Sequence, residues 1–179
     1  NELYGSSLEK IRIIGLENIE FGENIIIDDF AFIYAKGKIK LGNYVHIGIY
    51  ASITGGDELT VGDFCAISQG VRVLTATDDF KDWGFGNSTI DNQFRNVKSL
   101  PITIGRFSII GANSVILPGV TIGEGAMVGA NSTITKDLEP WGIYVGNKRI
   151  GERNKEEVLK NYENFLVTPE NEKMGTLFK

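Results

Sequence analysis

Aliphatic residues recur at every sixth position through IIGANSVILPGVTIGEGAMVGANSTIT, residues 109–135, where Ile110, Ile116, Ile122, Val128 and Ile134 stand six apart. An α-helix returns a side chain to one face every three to four residues, and a half-buried strand every two. A period of six fits neither, so a turn must follow each short strand. Repeated hexads mark a parallel β-helix, in which each coil stacks on the last and inward side chains fill one continuous column. The chain is expected to be all-β.

The rest of the hexad agrees with this. The residue after the aliphatic one is Gly at 105, 111, 123 and 129, where a tight corner is expected to need unusual φ. Two positions before each aliphatic residue sits something small: Ser108, Ser114, Val120, Ala126 and Ser132. Three hexads close one coil, since Ile104 and Ile122 are 18 apart. A longer coil precedes them, because FGEN at 21, LGNY at 41 and VGDF at 61 are 20 apart. Each follows an apolar-polar pair (IE, IK, LT), and IT recurs before Ile104. Coils therefore run from about Phe21 to Asp137, with Ile11 to Ile14 as a ragged first strand covering the end of the column.

Between Val73 and Ile104 the hexads stop, and a loop insertion of about 75–101 carries Phe80, Trp83, Phe85 and Phe94 beside Asp78, Asp79 and Asp82. A long loop inside a compact domain is usually functional or disordered, and solvated loops seldom hold so many aromatic rings. This one is expected to be ordered against something. After Asp137, Pro140 breaks the pattern, and Lys148, Arg149 and Arg153 gather positive charge suited to a phosphorylated ligand. From Lys155, Val158, Leu159, Tyr162 and Leu166 recur at helical spacing, predicting a terminal helix over the end of the column and an exposed tail after Val167. The expected organisation is a β-helix domain over 1–153, then a C-terminal helix and tail over 154–179.

The chain has 179 residues, 42% of them hydrophobic, a size that suits one domain with a real core. Its formal net charge of -5 argues against nucleic acid as a partner. No apolar run reaches the roughly 18 to 20 residues that span a bilayer, and the charged, Gly-broken start lacks a signal-peptide core, so a cytoplasmic location is expected. Cys65 is the single cysteine, which excludes an internal disulfide. It falls on the small corner slot and reads as packing.

His46 is the only histidine. It precedes Ile47, and because side chains alternate along a strand it should point out of the column, free to act as a general base near neutral pH. From position alone, an ordinary surface or interface histidine is an equal alternative.

Together the hexads of Ile104 to Ile134, the loop between coils and the closing WGIYVGN resemble the left-handed β-helix acyltransferases of the hexapeptide-repeat family. Handedness is implied by that resemblance alone. The runs VHIGIYASI, VRVLTATDDF, SIIGANSVILPGVTIGEGAMVGANS and EPWGIYVGN look most like galactoside O-acetyltransferase-like enzymes of cell-surface polysaccharide biosynthesis. The resemblance covers about residues 20 to 153. It implies a homotrimer binding acetyl-CoA, as co-substrate, in a groove between neighbouring columns, with each site built from two subunits. It also implies His46 as catalytic base, Asp78 or Asp79 orienting the ring or holding the acceptor, a pantetheine arm along Gly111, Ala112, Gly129 and Ala130, and Lys148 and Arg149 near the CoA phosphates. Three places depart from the family pattern. Asp78-Asp79 stands where many relatives carry a histidine, Asn87-Ser88 stands for an Asn-Pro pair, and GNKR for a longer Gly-x-Pro-Ala-Lys/Arg tail.

The expected function is transfer of an acetyl group to a sugar hydroxyl. N-acetylation of a nucleotide-linked amino sugar is the alternative, since Asp78-Asp79 offers carboxylates to an amine. A non-enzymatic scaffold or sugar-binding module is a further reading, because fold does not fix function. The γ-type carbonic anhydrases share the fold but need about three zinc ligands, which one histidine cannot supply, and no metal site is expected.

Overall fold

The computed structural model describes residues 10–175, so the first nine residues of the expected β-helix domain and the last four of its tail lie outside the described residues. The chain winds as a parallel β-helix with three faces. The first face stacks Ile26–Ile27, His46–Ile47, Ala66–Ile67, Ile109–Ile110, Met127–Val128 and Gly142–Val145. A second face stacks Arg12–Ile14, Phe32–Tyr34, Ser52–Thr54, Arg72–Leu74, Val115–Ile116 and Thr133–Ile134, and a third runs from Ile19–Phe21 through Ile39–Leu41, Leu59–Val61 and Ile102–Ile104 to Thr121–Ile122.

Register follows the predicted periods. Ile47 pairs with Ile27 and Ile67, 20 residues either side, while Ile104 pairs with Ile122 and Ile116 with Ile134, 18 apart. The longer coils carry their extra length at the corner between the second and third faces, since Ile53 reaches Val61 where Ile116 reaches Ile122. The insertion leaves from this same corner. Val61 pairs with Ile104 and Val73 with Ile116, so the excursion does not disturb the stack. Inward residues such as Ile33, Ile47, Ile110, Ile116 and Ile122 are sealed from water. Removing apolar surface of this kind from water is the main favourable term in folding.

The corners work differently from the sequence expectation. Gly105, Gly111, Gly123 and Gly129 do not have positive φ; a Cβ on Gly105 would sit 2.6 Å from Glu124 N, and one on Gly111 would sit 2.6 Å from both Ala130 N and Val128 O. Gly105, Gly111 and Gly123 are required by the close approach of the next coil's backbone, whereas at Gly129 the nearest atom to a Cβ, Tyr144 O, is 3.2 Å away. The left-handed conformation falls two residues later, on Phe107, Asn113, Gly125 and Asn131. Asn tolerates that region and Gly favours it, whereas an aromatic there is under strain that its packing must offset. The small slot behaves as expected: Ser108 and Ser114 are fully buried, and their hydroxyls donate to the Gly123 and Gly129 carbonyls at 3.0 and 3.1 Å. Cys65 occupies the same slot, its thiol within 3.1 Å of Gly105 O, and burial pushes that thiol up to about 12.

Two further expectations are corrected. Coiling does not end at Asp137: Leu138 bridges Ile122, and Gly142–Val145 pairs in parallel with Met127–Val128 before the hairpin strand Lys148–Glu152 closes that face. Nor does the terminal helix, Lys155–Val167, cover the end of the column. It lies along the corner between the third and first faces, where Tyr44, Phe64 and Phe107 stack with centroids 5.0 and 5.4 Å apart, and Tyr162 and Phe165 meet them edge-on. The strained aromatic corner residues form a stacked lateral ladder, and the helix packs on it. The inner stripe is Val158, Tyr162 and Phe165; Leu166 is exposed. The segment after Val167 forms a second short helix, Glu170–Lys173, whose Lys173 ammonium lies 5.0 Å from the Phe165 ring centre.

If close approach is what selects glycine, Gly105→Ala should lower unfolding free energy by about 1–3 kcal/mol in denaturant titrations, as overpacking does. Gly105→Asn should be no better, although Asn tolerates positive φ; rescue by Asn would restore the φ explanation.

Candidate functional site

His46 lies where alternation puts it. Ile47 fills the core while the imidazole faces out, its side chain 47% exposed. The carboxylate that meets it is Asp28, neither Asp78 nor Asp79. Asp28 opens the corner after Ile27, one coil before, and its Oδ2 lies 3.1 Å from His46 Nε2. The Ile49 backbone N–H donates to the same oxygen at 3.2 Å, fixing the carboxylate against the corner of the histidine's own coil. An ionised carboxylate only accepts, so this contact places a proton on Nε2, and in the neutral imidazole that leaves the lone pair on Nδ1. At this exposure the pair contributes at most about 1 kcal/mol to stability. Its consequence is orientation.

Further along the same corner stand Gly111-Ala112 and Gly129-Ala130, the residues expected to line a pantetheine arm. The levels of His46 and Gly129 are three coil steps apart, roughly 14 Å at about 4.8 Å per step. Their lack of side chains beyond Cβ leaves the corner backbone open to a ligand. Lys148 and Arg149 are exposed on the hairpin strand closing that face, with Arg149 3.5 Å from Glu152. Arg153, expected to join them, serves the fold instead: its Nη1 donates to the carbonyls of Phe107 at 2.5 Å and Gly125 at 3.2 Å. Burial lowers its affinity for its proton.

The inserted loop leaves through a two-stranded ribbon, Ala76–Thr77 against Lys98–Ser99, and Leu100 N–H closes the neck onto Thr75 O at 3.0 Å. Asp79 organises it, accepting from the N–H groups of Lys81 and Asp82 at 2.9 Å each and of Gly84 at 3.3 Å, and from Asn96 Nδ2 at 2.9 Å. These donors, Lys81 first, hold its carboxyl far below the usual carboxylate range. Asp78 pairs with Arg95 Nη2 at 2.7 Å. The loop is thus ordered by its own polar network, while Phe80, Trp83, Phe85 and Phe94 face outward, Phe80 88% exposed.

Beneath the loop a cavity of about 740 Å³ opens, walled by Tyr34, Lys36, Thr54, Asp78, Asn92 and Arg95. It holds a carboxylate and two cations, and falls in the size range of small-molecule sites. Within one chain, His46 and Asp78 are not together: His46 and its carboxylate belong to the first face and the corner after it, and the cavity to the corner beyond the second face. Asp28, Lys36 and Arg95 went unsingled in the sequence. Writing the chain in 20-residue coils would have set Asp28 level with Gly48, beside His46; no comparable signal marks Arg95. Among the described residues no group of three or more His, Cys, Asp or Glu is placed to hold a metal ion, and no helix is long and apolar enough to cross a membrane.

Residues 101–136 match the family model for the bacterial transferase hexapeptide (six repeats). The chain is 34% identical to a dTDP-4-amino-4,6-dideoxy-D-glucose acyltransferase of Escherichia coli over 150 residues, 82% of this chain and 78% of that one. A variant of AntD, an N-acyltransferase from Bacillus cereus solved with dTDP-4-amino-4,6-dideoxyglucose and coenzyme A, superposes with a TM-score of 0.83 at 36% identity, covering 89% of this chain and 86% of that one. A maltose O-acetyltransferase from Clostridium difficile 630 superposes less well, with a TM-score of 0.52 at 25% identity over 86% of this chain and 70% of that one. The stacked hexads and this similarity over most of its length place the chain in one family: it belongs to the hexapeptide-repeat acyltransferases.

Proposed function

We propose that this protein transfers an acyl group, acetyl in the simplest case, from acyl-CoA to the amino group of a nucleotide-linked amino sugar. The observation that carries this reading is the cavity beneath the loop, which sets Asp78 beside Arg95 and Lys36. A carboxylate suits an ammonium group, and two cations suit a diphosphate. The relative from Escherichia coli is named for a dTDP-amino sugar, and AntD is solved with one. These favour the amine over the hydroxyl acceptor that the sequence first suggested.

Chemically, the amine must lose a proton to attack the thioester carbonyl. His46, its lone pair left on Nδ1 by the contact with Asp28, is the base we assign to that proton. Asp78 holds the ammonium before it is deprotonated, and Asp79 keeps the loop in shape. The thiolate then leaves, and the transferred acyl group forms an amide. Gly111, Ala112, Gly129 and Ala130 border the pantetheine arm, with Lys148 and Arg149 at the CoA phosphates.

Because one chain keeps His46 and the cavity apart, we propose that the site forms between copies in a three-fold assembly, with the loop of one reaching the histidine edge of the next. The outward column of the first face supports this: Ile26, Ala66, Ile109, Met127 and Ile143 flank His46, whereas the third face presents Glu20, Lys40, Thr60, Thr103 and Thr121. An apolar lateral face of this kind is what a subunit contact covers.

Three measurements check this. Acetyl-CoA with dTDP-4-amino-4,6-dideoxyglucose should release free thiol at enzymatic rates, while dTDP-glucose should release none; the reverse order would return the hydroxyl acceptor. His46→Ala should cut kcat by about 10² to 10⁴ with little change in KM for acyl-CoA, and Asp28→Asn should cut it less. Unchanged turnover in His46→Ala would remove the base assignment. Light scattering should give three times the 19.7 kDa chain mass; a monomer with full activity would contradict the shared site.

A further inference from the structure

Arg95 stands in an unfinished arrangement. Its Nη2 donates to Asp78 Oδ1 at 2.7 Å, and its side chain is only 15% exposed. Among the described residues, its Nε is the one buried side-chain nitrogen or oxygen without a hydrogen-bond partner. Folded proteins satisfy nearly all such groups, because a donor removed from water and left unpaired is costly. Asp78 has the complementary difficulty. It is the carboxylate in the cavity wall that an incoming ammonium needs, and the guanidinium already occupies it.

We infer that Arg95 is the diphosphate anchor of the acceptor site and that it changes partners when the nucleotide-linked sugar binds. The guanidinium leaves Asp78 for the phosphate oxygens, using Nε and a terminal nitrogen as paired donors, and Asp78 is released to face the sugar's amine. This rests on the amino-sugar reading above. A guanidinium presents a planar fork that matches two phosphate oxygens, and a diphosphate offers it more negative charge than one carboxylate. Lys36 and Asn92 share the cavity wall. The backbone need not move. Asp78 follows Thr77, which is paired in the ribbon to Lys98, and Arg95 follows the turn Asn92–Phe94, whose start is capped by the Asp91 side chain. Side-chain rotation suffices.

The exchange also supplies a reason for choosing amines. When the guanidinium departs, Asp78 is left as a partly buried charge, and only a cationic neighbour restores its partner. A nucleotide-linked sugar with a hydroxyl in that place binds at the cost of an unpaired carboxylate. Diphosphate and ammonium are therefore coupled through one ion pair, each favouring the other.

Calorimetric titration of dTDP without acyl-CoA, into wild-type protein and the variants Arg95→Lys, Arg95→Met and Asp78→Asn, tests this. Wild-type protein should bind dTDP, Arg95→Met should bind about tenfold or more weakly, and Arg95→Lys should fall between, since a lysine keeps charge without the fork. Asp78→Asn should bind dTDP several-fold more tightly than wild type while turning over the amino sugar more slowly, because the competitor for Arg95 is gone. A purely structural ion pair would give no tighter binding. Equal affinity in Arg95→Met, no gain in Asp78→Asn, or a wild-type protein that binds no dTDP overturns the inference. Normal dTDP binding with no acylation of any amino sugar would instead sink the amine reading and leave the anchor standing.

Discussion

Hydrogen bonding between successive coils holds them about 4.8 Å apart, and the rest of the molecule is built to permit that spacing. It admits no Cβ at Gly105 or Gly111, where the next backbone already lies 2.6 Å from the place a Cβ would take. It puts Ile47 directly between Ile27 and Ile67, which makes the column continuous and turns every intervening residue outward at a fixed height. His46 and Asp28 meet for that reason alone: one follows the buried residue of its coil's corner, the other precedes it on the next. The loop can be long because Val61 and Ile104 resume the stack as neighbours.

Charge is arranged on this frame with different purposes. Asp28 is half exposed and anchored by a backbone N–H, so it adds direction to an imidazole more than it adds stability. Asp79 is saturated with donors and cannot offer an oxygen to a substrate without unmaking the loop. Asp78 is held by a single guanidinium that itself lacks a partner at Nε, which makes that pair the part of the cavity readiest to change. Asp78 and Asp79, adjacent and equivalent candidates in the sequence, thus separate once their neighbours are known, and Asp28, which the sequence did not single out, takes the place beside His46.

The column was legible in the residues, because burial on one side of a six-residue unit leaves a periodic trace that solvent-facing positions cannot blur. The 18- and 20-residue coils, the small corner slot and the outward His46 all follow from it. What the corner glycines do was misread, since sequence shows that a small residue is required and not whether φ or a neighbouring backbone requires it. The lateral seat of the helix depends on Tyr44, Phe64 and Phe107, which look like scattered aromatics until the coil register stacks them. Arg95 and Asp78 are 17 residues apart within the irregular loop, where no period links them. The acceptor lay beyond the hexads as well, because they describe the scaffold common to hydroxyl and amine acyltransferases.

A crystal structure with both dTDP and coenzyme A bound bears most directly on the whole account. It should show the diphosphate on Arg95 in the cavity beneath one chain's loop, with coenzyme A along Gly111 and Gly129 of an adjoining chain and its thiol close to His46. Nucleotide seated away from the loop, or a thiol far from His46 with both ligands bound, would contradict it.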